Sequence, residues 1–346
     1  MATLHEWLDL ASALRRRGRD PLPERLDASS VILLDTEIGS ENSGDHIIMQ
    51  ACDDVCREIF GTADLERIPT HPEAGVSPRE DAAPYLKILC GTNILYKDMY
   101  GQRQLVLPHD LHSYKDVCLL GVGLSDIGIE GPTPRYTRML YKALLGTSCL
   151  HSVRDEKARR FLVDLGYENV LNTACPTMWG LSHELQRSIP RDKADTVVTS
   201  VTDYCFDAER DAEMLRVLRE SYDRVIIWVQ GSHDLDWCLE RIVDTSEFEL
   251  VGPDVSELDR VLVSGEVDYV GTRLHAGIRA LNRRVRSLIV TVDNRARQIG
   301  ADTNLPVIER EDAAAGGLAS WVERPYECDI RLPERAIARW KAQFSS

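Results

Sequence analysis

Short apolar runs alternate with amphipathic stretches along most of the chain. Runs of roughly four to eight apolar residues bounded by glycine or polar residues are typical of buried strands. In the first half, this pattern predicts strands over residues 31–35, 86–90, 117–122, 149–153 and 169–173. In the second half, it predicts strands over residues 196–201, 224–229, 248–251, 267–270 and 285–292.

Helical spacing of the apolar residues fills the intervals between these strands. Thr3 and Glu6 form a capping box before the first helix, and a second helix is predicted to begin at Asp45. Thr133 and Pro134 fit the N-cap and first position of another helix. Further helices are predicted over residues 155–165, 207–222, 234–244, 255–264, 275–281 and 333–344.

Two successive runs of strand–helix alternation predict an α/β protein with two Rossmann-like, doubly wound domains. The polar segment 186–193, which contains Pro190, is the best linker candidate. We therefore expect a first domain over 1–185, a second over 195–320, and a helical segment over 321–346 that packs back on the first domain. Ligands of such sheets bind outside the carboxyl ends of the strands, so the expected site is a cleft across which the domains face each other.

The composition of the chain limits which kinds of molecule the protein is expected to bind and where it is expected to be located. The 346 residues carry 41 Lys and Arg against 56 Asp and Glu, a formal charge of −15, which disfavours nucleic acid as a partner. No apolar run approaches the roughly 18 residues of a membrane span, and no secretory signal is recognisable, so we expect a cytoplasmic protein. The nine cysteines include no C-x-x-C pair, which indicates reduced thiols rather than disulfides. Homo-oligomerisation stays open at this stage.

Three loops of the first half follow predicted strands or precede a helix. Residues 39–46 place Asn42, Gly44 and Asp45 where a helix begins. Asp45 fits either a helix cap or a group that handles a ligand hydroxyl. The other two loops contain Gly91, Asn93 and Gly123 after apolar runs, a weak signal when taken singly.

Two arginines follow strands of different domains. Arg154 stands between an apolar run and a helix, where it fits a surface ion pair or a bidentate clamp on a carboxylate or phosphate. Arg273 and His275 share one loop. The loop therefore places a guanidinium cation two residues from an imidazole, a group that ordinarily titrates near neutral pH. His109, Asp110 and His112 are residue types that can bind a metal, but no further ligand stands at a useful spacing from them. No metal site is therefore predicted.

At these residues the sequence resembles the polysaccharide pyruvyl transferase family. Arg273-Leu274-His275-Ala276 is the most specific element, and Ser152-Val153-Arg154-Asp155 is the next. The supporting segments are Asn42-Ser43-Gly44-Asp45, Gly121-Val122-Gly123, Cys175-Pro176-Thr177 and Asp268-Tyr269-Val270-Gly271. The resemblance implies the GT-B-like twin Rossmann architecture and an enzyme of polysaccharide biosynthesis. Such an enzyme transfers a pyruvyl group from phosphoenolpyruvate to a sugar as a ketal and releases phosphate.

The resemblance also implies roles for individual residues. Arg154 and Arg273 would bind the donor, His275 would be catalytic, and Asp45 would be the essential acid of the first loop. The further substrate-binding positions are Leu274, Asn42, Gly44, Gly91, Asn93 and Gly123. The first domain would be the acceptor side and the second the donor side, with phosphoenolpyruvate as co-substrate and no metal or other cofactor.

A second function stays open on the same architecture. A nucleotide-sugar glycosyltransferase or epimerase would hold a nucleotide in the second domain, usually with a carboxylate on its ribose. Glu266 and Asp268 are acids near that region. Binding of phosphoenolpyruvate, but not of UDP or GDP, would favour the pyruvyl transferase. A third possibility is a binding protein without catalysis, which would release no phosphate from phosphoenolpyruvate whichever acceptor is offered.

Overall fold

The computed structural model describes residues 2–22, 28–61, 65–70, 82–100, 105, 107, 111–125, 131–231, 233–264 and 266–344. By its contacts the chain divides into two units. Unit 1 comprises residues 1–40, 48–176 and 333–346, and unit 2 comprises residues 41–47 and 177–332. The C-terminal helix therefore belongs with the first half of the chain, while the short segment around Asp45 belongs with the second.

Within the described ranges the chain forms twelve strands and thirteen α-helices. The strands are β1 Val31–Asp35, β2 Glu66–Pro69, β3 Leu86–Cys90, β4 Val117–Leu120, β5 His151–Val153, β6 Val170–Asn172, β7 Thr196–Thr199, β8 Arg224–Trp228, β9 Glu249–Val251, β10 Val267–Gly271, β11 Arg286–Thr291 and β12 Val307–Glu309. The helices are α1 Leu4–Arg16, α2 Ser43–Phe60, α3 Arg135–Leu144, α4 Glu156–Asp164, α5 His183–Arg187, α6 Ala208–Ser221, α7 Glu240–Ile242, α8 Val255–Leu262, α9 Leu274–Asn282, α10 Asn294–Thr303, α11 Arg310–Asp312, α12 Leu318–Glu323 and α13 Glu334–Ala342. Among them no helix is both long and apolar enough to cross a bilayer.

Unit 1 is built on a parallel sheet with strand order β2-β1-β3-β4. Strands β5 and β6 pair in parallel, and a single bridge from Val122 to Val153 joins β5 to the segment after β4. β1, β3 and β4 are buried along their whole length, as expected of parallel strands covered on both faces. α13 packs on this unit, where Phe344 meets Phe60 edge to face with their ring centroids 5.3 Å apart.

Unit 2 is a six-stranded parallel sheet with strand order β12-β11-β10-β7-β8-β9. Numbered within the unit from β7 as 1 and read from the β9 edge, this order is 3-2-1-4-5-6, that of the doubly wound Rossmann fold. The order reverses between β7 and β10, and the carboxyl ends of those two strands mark the point where such folds bind ligands. The predicted α/β class with two Rossmann-like units is confirmed, whereas the cleft across which they face each other stays a prediction.

The sequence pattern misses two edge strands and several helices, whereas the edge strands β4 and β9 were predicted. β2 and β12 are edge strands with few buried positions, so they lack the continuous apolar run that marks the central strands. α10 is polar along most of its length and offers little apolar periodicity. The start of α3 was predicted wrongly: Pro134 is the extended N-cap residue, with φ −58° and ψ 149°, and the helix begins at Arg135.

A buried ion pair joins β10 to β11 in unit 2. Arg286 donates to Asp268, and the Tyr222 hydroxyl donates to the same Asp268 carboxylate at 2.7 Å. The Arg286 guanidinium carbon lies 4.0 Å from the centroid of the Trp321 ring, and its Nη2 donates to three carbonyls between Trp321 and Arg324. The pair therefore fastens α12 against the sheet, while Oδ1 of Asp268 and Nε of Arg286 have no hydrogen-bond partner among the described residues.

The cysteine side chains that the structure describes are all free, as predicted. The six thiols of unit 1 are buried, and they are Cys52, Cys56, Cys90, Cys118, Cys149 and Cys175. Burial is the largest cause that raises the pKa of the Cys118 thiol well above its usual value. In unit 2, by contrast, Cys205 is exposed and Cys328 is half-buried.

Lys87 is a fully buried cation on β3. Its ammonium donates to the carbonyl of Tyr85 at 2.7 Å, and burial lowers its pKa to about 7, although Asp116 opposes that shift. Between pH 7 and 10.5 the unfolded chain therefore binds more protons at this lysine than the folded chain does. This difference predicts that the stability contribution of Lys87 rises with pH across that window.

We predict that Lys87→Met raises the free energy of unfolding at pH 7 by about 1–4 kcal/mol, because an apolar side chain carries no desolvation cost. The increase should shrink as the pH approaches 10. Urea unfolding at several pH values measures both effects. Lys142→Met, at an exposed lysine of α3, is the matched control and should show neither. The same stability profile for Lys87→Met and the native protein would contradict this account.

Candidate active site

The close approach of β7 and β10 fixes the backbone at the carboxyl edge of the unit 2 sheet. The backbone N–H and hydroxyl of Thr272 both donate to the carbonyl of Ser200, at 3.0 and 3.2 Å. A Cβ on Gly271 would lie 2.7 Å from the Ser200 nitrogen, so only glycine allows this spacing. The Ser200 hydroxyl lies 2.7 Å from the Tyr269 hydroxyl, which donates to the carbonyl of Arg273 at 3.0 Å. The backbone of Arg273 is therefore held by three features: the hydrogen bonds from Thr272 to Ser200, the close approach at Gly271, and the hydrogen bond from Tyr269 to the Arg273 carbonyl.

The Arg273 side chain is 3% exposed and is held by two acids. Its Nη2 pairs with Asp234 and, at 3.3 Å, with Asp203. Burial raises the pKa of Asp234, and Arg273 and the N–H of Gly231 only partly offset that effect. Within the described part of the chain, the buried Nε of Arg273 has no hydrogen-bond partner. Such an open donor on a buried cation is typical of a site that awaits an anionic ligand.

Other buried polar atoms at this edge are also unsatisfied among the described residues. They are the hydroxyls of Thr199 and Thr202 and the side-chain carbonyl of Gln230. Thr199 is the last residue of β7, Thr202 lies in the loop after it, and Gln230 follows β8. These residues therefore lie near the point where the strand order reverses. A group of unpaired polar atoms at one sheet edge indicates a binding site rather than a packed core.

His275 lies in the first turn of α9, two residues after Arg273. Its side chain is buried, and so is that of Leu274, the first residue of the helix. Arg273 is the N-cap residue but provides no side-chain cap, so the positive end of the helix dipole lies open beside its guanidinium. Arg273, Leu274 and His275 thus stand at the start of α9 with buried side chains, and their predicted roles stay predictions.

The loop before α2 joins the same edge. Asn42 accepts a hydrogen bond from the side chain of Gln230 at 2.6 Å, and a Cβ on Gly44 would lie 2.9 Å from that same nitrogen. Asp45 is buried and does not cap the helix: α2 begins at Ser43, and the Asn42 side chain accepts from the Gly44 N–H at 3.0 Å. The interpretation of Asp45 as the N-cap was therefore wrong, since Asn42 already fills that position.

The sequence reasoning missed four residues of this edge. Asp203 and Tyr204 follow β7, Asp234 lies in the loop after β8, and Arg295 follows β11. The Tyr204 ring lies next to two guanidinium groups, with centroid distances of 5.0 Å to Arg273 and 4.7 Å to Arg295. All four stand shortly after predicted strands, and that position is the signal that could have found them.

Arg154 anchors a second group of predicted residues, which belongs to unit 1. Its side chain is 1% exposed, its Nη2 donates to Asn93, and its Nε lies 3.5 Å from Asp155. A Cβ on Gly123 would stand 2.4 Å from that Nε, so the absence of a side chain there makes room for the guanidinium. Arg154, Asn93 and Gly123 thus form one cluster. Arg154 does pair with Asp155, but the pair is buried and is not the surface ion pair that was one alternative for Arg154.

Gly91 is placed differently. It has φ +52°, in the left-handed region, and a Cβ there would lie 2.0 Å from the side chain of Ile48 on α2. Its observed role is therefore to let α2 pack on the sheet, and its predicted contact with substrate stays a prediction. The mutual placement of Arg154 in unit 1 and Arg273 in unit 2 stays a prediction too.

Among the described residues, one group of side chains offers three metal-ligating atoms, all within 4.8 Å of one another: Cys118, Cys149 and His151. Both imidazole nitrogens are occupied, because Nδ1 accepts from the Leu119 N–H at 3.4 Å and Nε2 lies 2.8 Å from the carbonyl of Gly146. Burial lowers the pKa of His151 to about 4, which keeps the ring neutral. His151 is therefore a core histidine of the unit 1 sheet.

The histidine–acid group considered as metal ligands is only partly described. His109 and Asp110 lie outside the described residues. His112 is buried, and its Nε2 lies 3.0 Å from an Asp20 carboxylate oxygen.

The comparisons with known proteins give one family. The family model described as polysaccharide pyruvyl transferase matches residues 42–294, which include every predicted site residue. A comparison with curated proteins finds no match.

Among solved structures, a putative UDP-N-acetylglucosamine 2-epimerase from Listeria monocytogenes is 10% identical with a TM-score of 0.49, covering 91% of this chain and 96% of that one. The UDP-GlcNAc 2-epimerase of Methanocaldococcus jannaschii is 11% identical with a TM-score of 0.45, covering 89% and 98%. These likenesses are too distant to assign an activity.

We predict that Gly123→Ala destabilises the protein by about 1–3 kcal/mol, because the new methyl group overlaps the buried Arg154 guanidinium. Urea unfolding measures the loss. Gly18→Ala is the control, since a Cβ at Gly18 meets nothing within 4 Å and should leave stability unchanged or slightly higher. Equal stability of the two variants would show that Arg154 is free to move aside.

Proposed function

The chain belongs to the polysaccharide pyruvyl transferase family, and we propose that it transfers a pyruvyl group from phosphoenolpyruvate to two hydroxyls of a sugar as a ketal, with release of phosphate. The observation that carries the proposal is the loop after β10. This loop sets a buried arginine with an unpaired N–H beside a buried histidine, at the point where the strand order of unit 2 reverses. The reaction as proposed uses no resident cofactor.

Arg273 suits the donor because its charge is desolvated and its position is fixed. Phosphoenolpyruvate carries a carboxylate and a phosphate, and a guanidinium binds either group through two parallel N–H donors. The open end of the α9 dipole adds a further attraction for an anion at the same place. The family resemblance also gives Arg154 a role in donor binding, and its burial in unit 1 suits a charge-assisted contact.

His275 would deliver the proton that starts the reaction. Protonation of the donor methylene carbon makes it a methyl group and leaves C2 electron-poor, so a sugar hydroxyl can attack C2. The bond from C2 to the phosphate oxygen then breaks, and the second hydroxyl closes the ketal. Two hydroxyl protons are lost in total; one balances the proton gained by the methyl carbon, and the other leaves on the phosphate. A histidine suits this role because its proton exchanges near neutral pH.

Asp45 would accept the proton of the attacking hydroxyl or orient that hydroxyl. It is buried in the same unit as His275, on a helix turn whose capping position is filled by Asn42. The Asp45 carboxylate is close enough to Arg295 to help raise the pKa of that guanidinium, so it lies near the sheet edge that carries Arg273, which supports this role. The acceptor would be a carbohydrate, as the family implies.

The alternative function finds less support in the geometry. A nucleotide-sugar enzyme usually sets a carboxylate against the ribose, and Asp268 was one candidate for that role. Asp268 is fully buried and is bound by Arg286 and Tyr222, so it has no face for a nucleotide. Glu266, the other candidate, is exposed next to the start of β10, at the opposite end of the strand from the Arg273 loop.

A direct assay separates these functions. Incubation with phosphoenolpyruvate and a panel of sugars should yield inorganic phosphate and, by mass spectrometry, an acceptor heavier by one pyruvyl ketal. Phosphoenolpyruvate should raise the melting temperature, whereas UDP and GDP should not. A shift with UDP alone, with no phosphate released from phosphoenolpyruvate in the presence of any acceptor, would favour the nucleotide-sugar enzyme.

We predict that Arg273→Ala and His275→Asn fail in different ways. Arg273→Ala should weaken phosphoenolpyruvate binding by about 2–4 kcal/mol, because it removes a buried charge-assisted contact, and Arg273→Lys should recover only part of it. His275→Asn should keep donor affinity within a few fold while turnover falls roughly 10²–10⁴-fold. Calorimetric titration and phosphate-release kinetics measure the two effects. Loss of donor binding in His275→Asn would make this histidine a binding residue only.

We predict that Asp45→Asn lowers turnover by roughly 10²-fold or more and leaves stability close to that of the native protein. Asparagine keeps the size and the hydrogen-bonding shape of the side chain but cannot accept a proton. Phosphate-release kinetics and thermal unfolding give the two numbers. Glu41→Gln, at an exposed acid four residues earlier, is the control and should leave turnover unchanged. Normal turnover in Asp45→Asn would return Asp45 to a structural role.

A further inference from the structure

The outer face of α1 exposes two leucines. Leu4 is 77% exposed and Leu8 is 55% exposed, whereas Leu10 and Ala13 of the same helix are buried in the core of unit 1. Residues spaced by four and seven positions lie on one side of a helix, so Leu4, Leu8 and Arg15 form one stripe, which we call the leucine stripe. Leu10 and Ala13 already anchor α1, so its packing does not require apolar residues on the outside.

Arginines are concentrated where α1 ends. Four stand in its last turn or directly after it, and they are Arg15, Arg16, Arg17 and Arg19. The negative end of the helix dipole favours cations in the last turn, which does not account for Arg19 beyond it. Arg15 and Arg19 are exposed. The neighbouring acid Asp20 is engaged elsewhere, because a carboxylate oxygen of it lies 3.0 Å from the Nε2 of His112.

α3 adds further positive charge. Arg135, Arg138 and Lys142 are spaced three and four positions apart, so they share one face of the helix. The helix contains no acid, and its other face is buried in unit 1. These three cations are the exposed residues of α3, whose outer surface is therefore purely basic.

Two contacts place α3 beside α1 within unit 1. Near the start of each helix, Trp7 meets Tyr136 edge to face with the ring centroids 5.2 Å apart. Near the end of each helix, a guanidinium N–H of Arg17 donates to the carbonyl of Leu145. The two helices therefore run side by side in the same direction. Lys142, one turn before Leu145, lies at the same end as the arginines of α1.

The local charge of this surface opposes that of the whole chain. Residues 4–20 and 135–144 carry seven Lys and Arg against three Asp and Glu, whereas the whole chain has a formal charge of −15. Salt screens exposed charges over about 8 Å at physiological ionic strength. An anionic surface in contact with α1 and α3 therefore meets mainly their positive charge, and the rest of the chain repels it only weakly.

We propose that α1 and α3 form a docking surface for an anionic lipid bilayer. Leu4 and Leu8 enter the boundary between headgroups and acyl chains, while Arg15 and Arg19 bind lipid phosphates. The leucine stripe selects this partner, because a soluble polyanion offers nothing apolar for two exposed leucines. The contact is peripheral, and no helix in the described part of the chain is apolar and long enough to span a membrane. The proposal concerns another surface than the reaction and does not depend on it.

The test is co-sedimentation of the full chain with vesicles of phosphatidylcholine alone or mixed with anionic phosphatidylglycerol. The native protein should bind the mixed vesicles, remain unbound with phosphatidylcholine alone, and be released by added salt. Leu4→Gln combined with Leu8→Gln should weaken binding to the mixed vesicles by roughly 10–100-fold, because two apolar contacts are lost. Arg15→Gln combined with Arg19→Gln should weaken it by roughly 10–30-fold.

Matched controls change the same residue types on other surfaces. Val263→Gln alters a side chain that is 63% exposed in unit 2, and Arg335→Gln combined with Arg339→Gln removes two exposed cations of α13. Both should bind the vesicles as the native protein does. Arg15→Lys combined with Arg19→Lys guards against a folding defect, because it keeps the charge and should bind nearly as tightly as the native protein.

Several results would overturn the proposal. Native protein that ignores the mixed vesicles at low salt, or that binds both kinds of vesicle equally, has no anionic lipid surface. Unchanged binding after the leucine changes, together with tight binding of soluble heparin, would make the basic cluster a polyanion site. A lipid-free dimer that the leucine changes dissociate would make the stripe an interface between copies. Because no substrate takes part in these measurements, each result leaves the proposed reaction untouched.

Discussion

The buried ion pair between Arg273 and Asp234 is the interaction on which the carboxyl edge of unit 2 depends. A guanidinium removed from water needs a carboxylate close by, and Asp234 is itself held by the N–H groups of Gly231 and Asp203. The pair therefore ties together the loops after β7, β8 and β10. Through Gln230, which bonds Asn42, the same network reaches the loop before α2.

The central strands of both sheets could be predicted from sequence, because a parallel strand covered on both faces is a continuous apolar run. β1 and β3 match their predicted residues. The edge strand β12 could not be found, since all its residues are only half-buried and its composition is mixed. The sequence also could not show that Asp45 belongs to unit 2, because Asp45 is continuous with α2, most of which lies in unit 1. Its neighbours Asn42 and Ser43 hydrogen-bond Gln230 and Pro253, which are residues of unit 2.

The site could be predicted only where one loop carries several informative residues. Arg273 and His275 stand two positions apart, so their proximity is visible in the sequence, and both side chains are buried at the start of α9. Asp234 and Arg295 come from other loops, 39 and 22 positions away from Arg273, and only the strand order brings them beside it. Gly123 was only a weak signal in the sequence, because glycine commonly follows buried strands. The structure explains it, since the Arg154 guanidinium fills the space that a side chain at this position would take.

The distribution of thiols makes the two units chemically distinguishable. The six cysteines described in unit 1 are buried, whereas in unit 2 Cys205 is exposed and Cys328 half-buried. An alkylating reagent needs an accessible thiolate, so it labels Cys205 in the native protein and reaches the unit 1 thiols only when that unit opens. The extent of labelling in each unit then reports how often unit 1 unfolds on its own, without any introduced probe.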